Sequence, residues 1–105
     1  MNIIKVSANS RTAAVAGAIA GVMREKHYVE VQSIGAGAVN QAVKAIILAK
    51  SYLVNDDIDI VCVPEFVDIN IEDKVRTAIK FVVIPREDVL KPVEINPDDL
   101  KPMAL

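Results

Sequence analysis

The sequence predicts a two-layer α/β sandwich, an α+β arrangement with elements in the order β-α-β-α-β-β and both helices on one face of the sheet. Three observations carry this. Short stretches of alternating apolar and polar residues take turns with Ala-rich stretches whose apolar residues recur at helical spacing. Turn signals at Asn9-Ser10, Gly35–Gly37, Asn55–Asp57 and Glu72–Lys74 separate them. The chain has 105 residues, 52% hydrophobic and only 4% aromatic, so one domain with an aliphatic core is expected and a disordered chain is excluded.

Asn2–Ser7 reads as the first strand, with Ile4 and Val6 on one face and Lys5 and Ser7 on the other. Asn9, Ser10 and Thr12 offer caps for the helix that follows, which runs to about Lys26 with Val15, Ile19, Val22 and Met23 as its apolar stripe. Its other small residues, Gly17 and Gly21 among them, predict close packing on a neighbour. Tyr28–Ile34 is the second strand, Val29 and Val31 inward, Glu30 and Gln32 outward. After Gly35–Ala38 a second helix runs to about Tyr52, with Val39, Val43 and Ile46 as its core stripe. Asn40, Gln41 and Lys44 share another sector, and Leu48 within it points to a subunit contact.

Ile58–Val63 is a β-branched run that predicts a well-buried strand, with Cys62 as a plain buried thiol. Pro64 cannot donate to a ladder, so it marks a bulge, an edge or a break, with pairing resuming over Phe66–Ile71. Glu72–Lys74 turns the chain into a last strand, Val75–Ile84, closed by Pro85. If the strands are sequential neighbours, right-handed crossovers place both helices on one side. The other face then carries Lys5, Ser7, Glu30, Gln32, Arg76 and Lys80. A dimer contact, a ligand surface and a plain solvated face are its alternatives.

Charge is uneven. Through Arg86 there are ten Lys/Arg and nine Asp/Glu; beyond it there are two and five. The expected division is a folded domain over 1–86 and an acidic, Pro-containing segment over 87–105, extended or disordered, with Pro92, Pro97 and Pro102 evenly spaced. The near-neutral domain argues against tight, non-specific DNA binding. The longest small and apolar run, Ala13–Met23, is too short to cross a bilayer, no signal peptide is evident, and one cysteine cannot form an internal disulfide; a cytoplasmic protein without membrane contact is expected.

Enzyme chemistry finds no support. His27 stands alone at a helix-to-strand turn, and no His/Cys/carboxylate cluster has metal-ligand spacing, so neither a metal nor another cofactor is expected. Cys62 lacks a nucleophile's partners. Asp56, Asp57 and Asp59 read as turn and solvating residues.

The informative segment is Gly35–Lys44, sequence GAGAVNQAVK. Two glycines join strand to helix, and the helix start offers free N–H groups and a partial positive charge to an anion. Asn40, Gln41 and Lys44 lie within about a turn of it and suit a sugar-phosphate backbone. The segment lacks the Gly-Lys-Ser/Thr of a phosphate loop and the third glycine of a dinucleotide fingerprint, so a merely tight turn is an equal reading. Ser7–Thr12 is a second polar loop before a helix. In parallel topology both loops leave the same sheet edge, where Arg11 and Lys44 would converge. The hairpin at Glu72–Lys74 mixes both charge signs and reads as a solvated turn.

Lys5–Ser7, Val15–Ala20, the block Gly35–Ala45, Asp59–Pro64 and Arg76–Lys80 together resemble the stage V sporulation protein S family, over roughly residues 2–86. The resemblance implies an Alba-like fold with a four-stranded mixed sheet, similar to the C-terminal domain of a bacterial translation initiation factor. It implies a dimer that binds DNA or RNA and a role in sporulation and developmental regulation. Carried over residue by residue, it makes Lys5, Ser7, Asn9, Ser10, Arg11, Asn40, Gln41, Lys44, Arg76 and Lys80 candidates for binding nucleic acid, beside the Gly35 and Gly37 turn. The chain departs from the basic Alba pattern in its near-neutral charge and acidic hairpin, which implies modest affinity. A protein-interaction module, or a small-anion or nucleotide sensor at the Gly35–Gly37 helix start, are the alternatives.

Overall fold

The computed structural model describes residues 2–89; the expectation for segment 90–105 lies outside the described residues. Strand β1 (Ile3–Val6) leads to helix α1 (Thr12–Lys26), strand β2 (Val29–Ser33), helix α2 (Ala36–Tyr52), a short 3-10 turn, strand β3 (Ile60–Ile71) and strand β4 (Lys74–Pro85). The order is the expected β-α-β-α-β-β. The strands are not sequential neighbours, however: the sheet runs β1-β2-β4-β3. β1 and β2 are parallel, and β4 lies antiparallel to both β2 and β3. The tight β3–β4 turn makes those two strands neighbours. The twelve-residue β4 then pairs through its second half with β2, leaving β1 and β3 as edges.

Both helices cover the same face and build one core with it. Ile19 and Met23 of α1 meet Val29 and Val31 of β2, Val83 of β4, Ile60 of β3 and Leu53, all fully buried. The apolar stripe read for α1 holds, but Gly17 and Gly21 are exposed, with no neighbour where a side chain would stand. Close helix packing comes instead from alanines. Ala16 and Ala20 are buried on α1; Ala38, Ala42, Ala45 and Ala49 are buried on α2. The core stripe of α2 is therefore this alanine row with Ile46, and of the expected residues Val39 packs half-buried against the core while Val43 does not. The row turns Val43 outward and sets Leu48, half-buried, against the core.

β3 also differs from expectation. It runs unbroken through Pro64, which pairs with Phe81. A proline is tolerated there because an edge strand needs donors on one side only. Being an edge, β3 leaves Cys62 exposed rather than buried. Five of its pairs with β4, from Val67–Ala78 to Ile71–Lys74, lie beyond the last pairing to β2, so about 17 Å of hairpin strand continues past that pairing, its Ile69–Ile71 lining a pocket with Lys5–Ala8. Its turn is only Glu72 and Asp73, both at positive φ, the backbone of a two-residue hairpin turn.

Candidate nucleic-acid interface

β1 and β2 end at the same sheet edge, and the loops that follow them touch. The first loop is a tight polar turn: the Ser10 N–H donates to the Ser7 carbonyl at 3.1 Å, the Ser7 N–H donates to Ser10 Oγ at 2.9 Å, and the Asn9 N–H donates to Ser7 Oγ at 3.3 Å. Ser10 is thus spent inside the turn. Arg11 occupies the N-cap position and makes no side-chain cap, so the expectation that Ser10 or Thr12 caps α1 fails.

The second loop is shorter than expected, because α2 begins at Ala36 and takes Gly37 into its first turn. Gly35 is the residue that needs to be glycine for its backbone, with φ +90° and no contact within 4 Å of an added Cβ. Gly37 needs to be small, since an added Cβ would stand 2.9 Å from the Ala8 Cβ of the first loop. Gln41 fastens the two loops. Its Nε2 donates to the Ser10 carbonyl at 2.8 Å and to Thr12 Oγ1 at 3.3 Å. Two helix starts without side-chain caps therefore lie side by side, presenting N–H groups and the positive ends of two helix dipoles. Arg11 sits at the first. Asn40 and Lys44 stand exposed on α2, Lys44 about one turn beyond Gln41.

The structure divides the sequence-derived candidates into two groups. Ser7, Asn9, Ser10, Arg11, Gly35, Gly37 and Gln41 gather at the joined loops, with Gln41 and Ser10 holding the frame, while Asn40 lines a groove farther along α2 and Lys44 is exposed about two turns from the helix start. Lys5, Arg76 and Lys80 belong to the helix-free face of the sheet, where the register sets Lys5, Gln32, Lys80 and Glu65 in one row across four strands. Lys80 Nζ lies 3.3 Å from Glu65 Oε2, which offsets its charge. Arg76 stands on the projecting hairpin.

At the opposite end, Asp59 joins the strand ends. Arg86 Nε donates to its carboxylate at 2.6 Å and Lys50 Nζ at 3.1 Å, and these two bonds, Arg86 first, hold its pKa below the ordinary carboxylate range. Burial pushes the Cys62 thiol up, with Lys50 opposing weakly, so it is no activated nucleophile. Among the described residues no group of three metal-ligating side chains occurs, and no helix is long and apolar enough to cross a membrane. His27 is exposed and ends α1 in the left-handed conformation.

Sequence reading missed one feature. A groove of about 630 Å³ runs between α2 and the β3–β4 pair, lined by Val39, Asn40, Val43, Phe66, Thr77 and Ile79. Phe66 is 81% exposed and Ile47, farther along α2, 62%. The signal was present in Val39, Val43 and Ile47, which recur every four residues beside the alanine row.

Residues 2–86 match the family Stage V sporulation protein S. The chain belongs to that family. The matched span covers every strand and helix, both loops and the hairpin. Stage V sporulation protein S membership gives the chain a sporulation-related role. The four-stranded mixed sheet with two helices is compatible with the Alba-like arrangement that the resemblance implies.

Proposed function

We propose that this family member is a non-enzymatic regulator that binds DNA or RNA at the joined loops, as a homodimer in the cytoplasm. The observation that carries the reading is the Gln41 bridge, which sets two uncapped helix starts side by side next to Arg11, with Lys44 exposed farther along α2. Phosphates are recognised by such N–H groups together with cations. The projecting hairpin leaves the same sheet edge and brings Lys74 and Arg76. Its Asp68, Glu72 and Asp73 hold the affinity down. Binding therefore weakens with salt, because displaced counterions supply its driving force.

Fluorescence anisotropy with labelled duplex DNA, single-stranded DNA and RNA tests this. Binding is expected at roughly 50 mM salt and is expected to fade by about 200 mM. No binding of any of the three at the lower concentration contradicts the reading. Sedimentation equilibrium of the full chain tests the dimer separately.

A further inference from the structure

The β3–β4 hairpin reads as a mixed-charge turn in sequence, but the strand register sorts its charges by face. Directly paired residues share a face. Ile69 with Arg76, and Ile71 with Lys74, therefore lie on the helix-free side, in line with Lys80 and Gln32. Asp68 is paired with Thr77 on the opposite side, where the Thr77 hydroxyl donates to its carboxylate at 3.2 Å. Lys5, Lys74 and Arg76 are exposed, and no carboxylate among the described residues pairs with them, whereas Lys80 is held by Glu65.

This cationic face is concave. β1 and β3 are the two outer strands of the sheet, with β2 and β4 between them. Even so, Ile69 and Ile71 of β3 line one cavity with Lys5, Ser7 and Ala8 at the end of β1 and Gln32 of β2. The hairpin therefore curls across the end of β2 and over the helix-free face. The cavity holds about 340 Å³, within the range of small-molecule sites. Gln32 is half-buried there, and its side-chain amide makes no hydrogen bond among the described residues. Ala8 belongs both to this cavity and to the close approach at Gly37, so the cavity adjoins the two helix starts.

We propose, building on the reading above, that the polyanion is a single strand and that this cavity receives one of its bases, unstacked, against Ile69 and Ile71. The neighbouring phosphates then meet Lys5, Arg76 and the joined loops. A base inside a duplex is paired and stacked and does not enter, whereas an unstacked base does. Apolar contact accepts the flat face of any base, and the Gln32 amide, which both donates and accepts, is matched to a base edge.

Fluorescence anisotropy of the full chain at about 50 mM salt tests this. The probes are DNA and RNA single strands of about ten nucleotides, the abasic analogue of the DNA strand with the same phosphates, and the duplex. The base-bearing strands are expected to bind roughly fivefold tighter or more than the abasic one. Ile71→Ser, at an exposed hairpin position, is expected to remove most of that advantage while leaving affinity for the abasic strand and the duplex unchanged. Equal affinity of the wild-type chain for base-bearing and abasic strands overturns the proposal and leaves phosphate binding at the loops standing. So does a loss in Ile71→Ser that is equal for both kinds of strand. Displacement of the strand by an equal concentration of nucleoside monophosphate also overturns it, and makes the cavity a small-ligand site. If none of the probes binds, the reading beneath the proposal falls and takes the proposal with it.

Discussion

Gly35 and Gly37 look interchangeable in sequence, yet the structure gives them different reasons for lacking a side chain. Gly35→Ala meets no neighbour and is opposed only by its backbone, which at φ +90° belongs to a region nearly reserved for glycine; a loss of about 1–3 kcal/mol is expected. Gly37→Ala has ordinary helical backbone and instead drives its methyl into Ala8, forcing the joined loops apart at a cost of roughly 1–3 kcal/mol. Chemical denaturation measures both. Adding Ala8→Gly is expected to recover much of the second loss and none of the first. Asp59 gives a pH test. Its pKa is depressed by Arg86 and Lys50, so its contribution to stability is present above the unfolded carboxylate value near 4 and is lost as pH falls through the lower folded value. Asp59→Asn is therefore expected to unfold more easily than wild type at pH 7, the gap closing below about pH 4. Equal midpoints at pH 7 count against that account. Residue by residue, sequence reading recognised the glycine turn as special. It could not separate backbone need from steric need, because Ala8 is distant along the chain and only the fold brings it beside Gly37.

The elements were largely legible because periodicity is local. Val29 and Val31 alternate with Glu30 and Gln32, and the strand there has that burial pattern. What stayed hidden depends on which element covers which. The alanine row of α2 reads as weakly apolar, while Val43 reads as core; helix-on-helix contact reverses this, because α1 can approach closely only where α2 is small. Likewise Ile58–Val63 looks like a central strand, and its place at the edge follows from β4 inserting between β2 and β3. The β3–β4 turn carries a prediction of its own. Glu72 and Asp73 both take positive φ, which two-residue turns ordinarily assign to Asn-Gly. Replacing them as Glu72→Asn with Asp73→Gly is expected to raise stability by on the order of 1 kcal/mol, the strain of the left-handed residues being greater than the entropy that glycine loses. An unchanged or lower denaturation midpoint argues that the turn is not held in this conformation in solution.

At the scale of the molecule, three things share one edge of the sheet: two helix starts joined by Gln41, and a hairpin reaching beyond them. The convergence of the loops was legible because parallel strands must deliver their following loops to the same edge. The hairpin's reach was not, since it depends on where β2 stops along β4. Net charge near zero in this part of the chain means that binding must come from arrangement rather than from overall attraction. That separates the cations. Arg11 stands at the joined loops and Lys44 is exposed about two turns along α2, whereas Lys80 is held by Glu65 on the helix-free sheet face. If phosphates meet the loops, Lys44→Glu and Arg11→Glu each weaken binding, and each neutral variant lowers the slope of log affinity against log salt by about one unit. Lys80→Gln is expected to leave both affinity and slope nearly unchanged, because its charge is already offset. Comparable losses from Lys44→Gln and Lys80→Gln, measured by anisotropy across a salt series, place the polyanion on the sheet face instead. The loops would then be a packing device, with Gln41 and Gly37 serving only to hold α1 and α2 together.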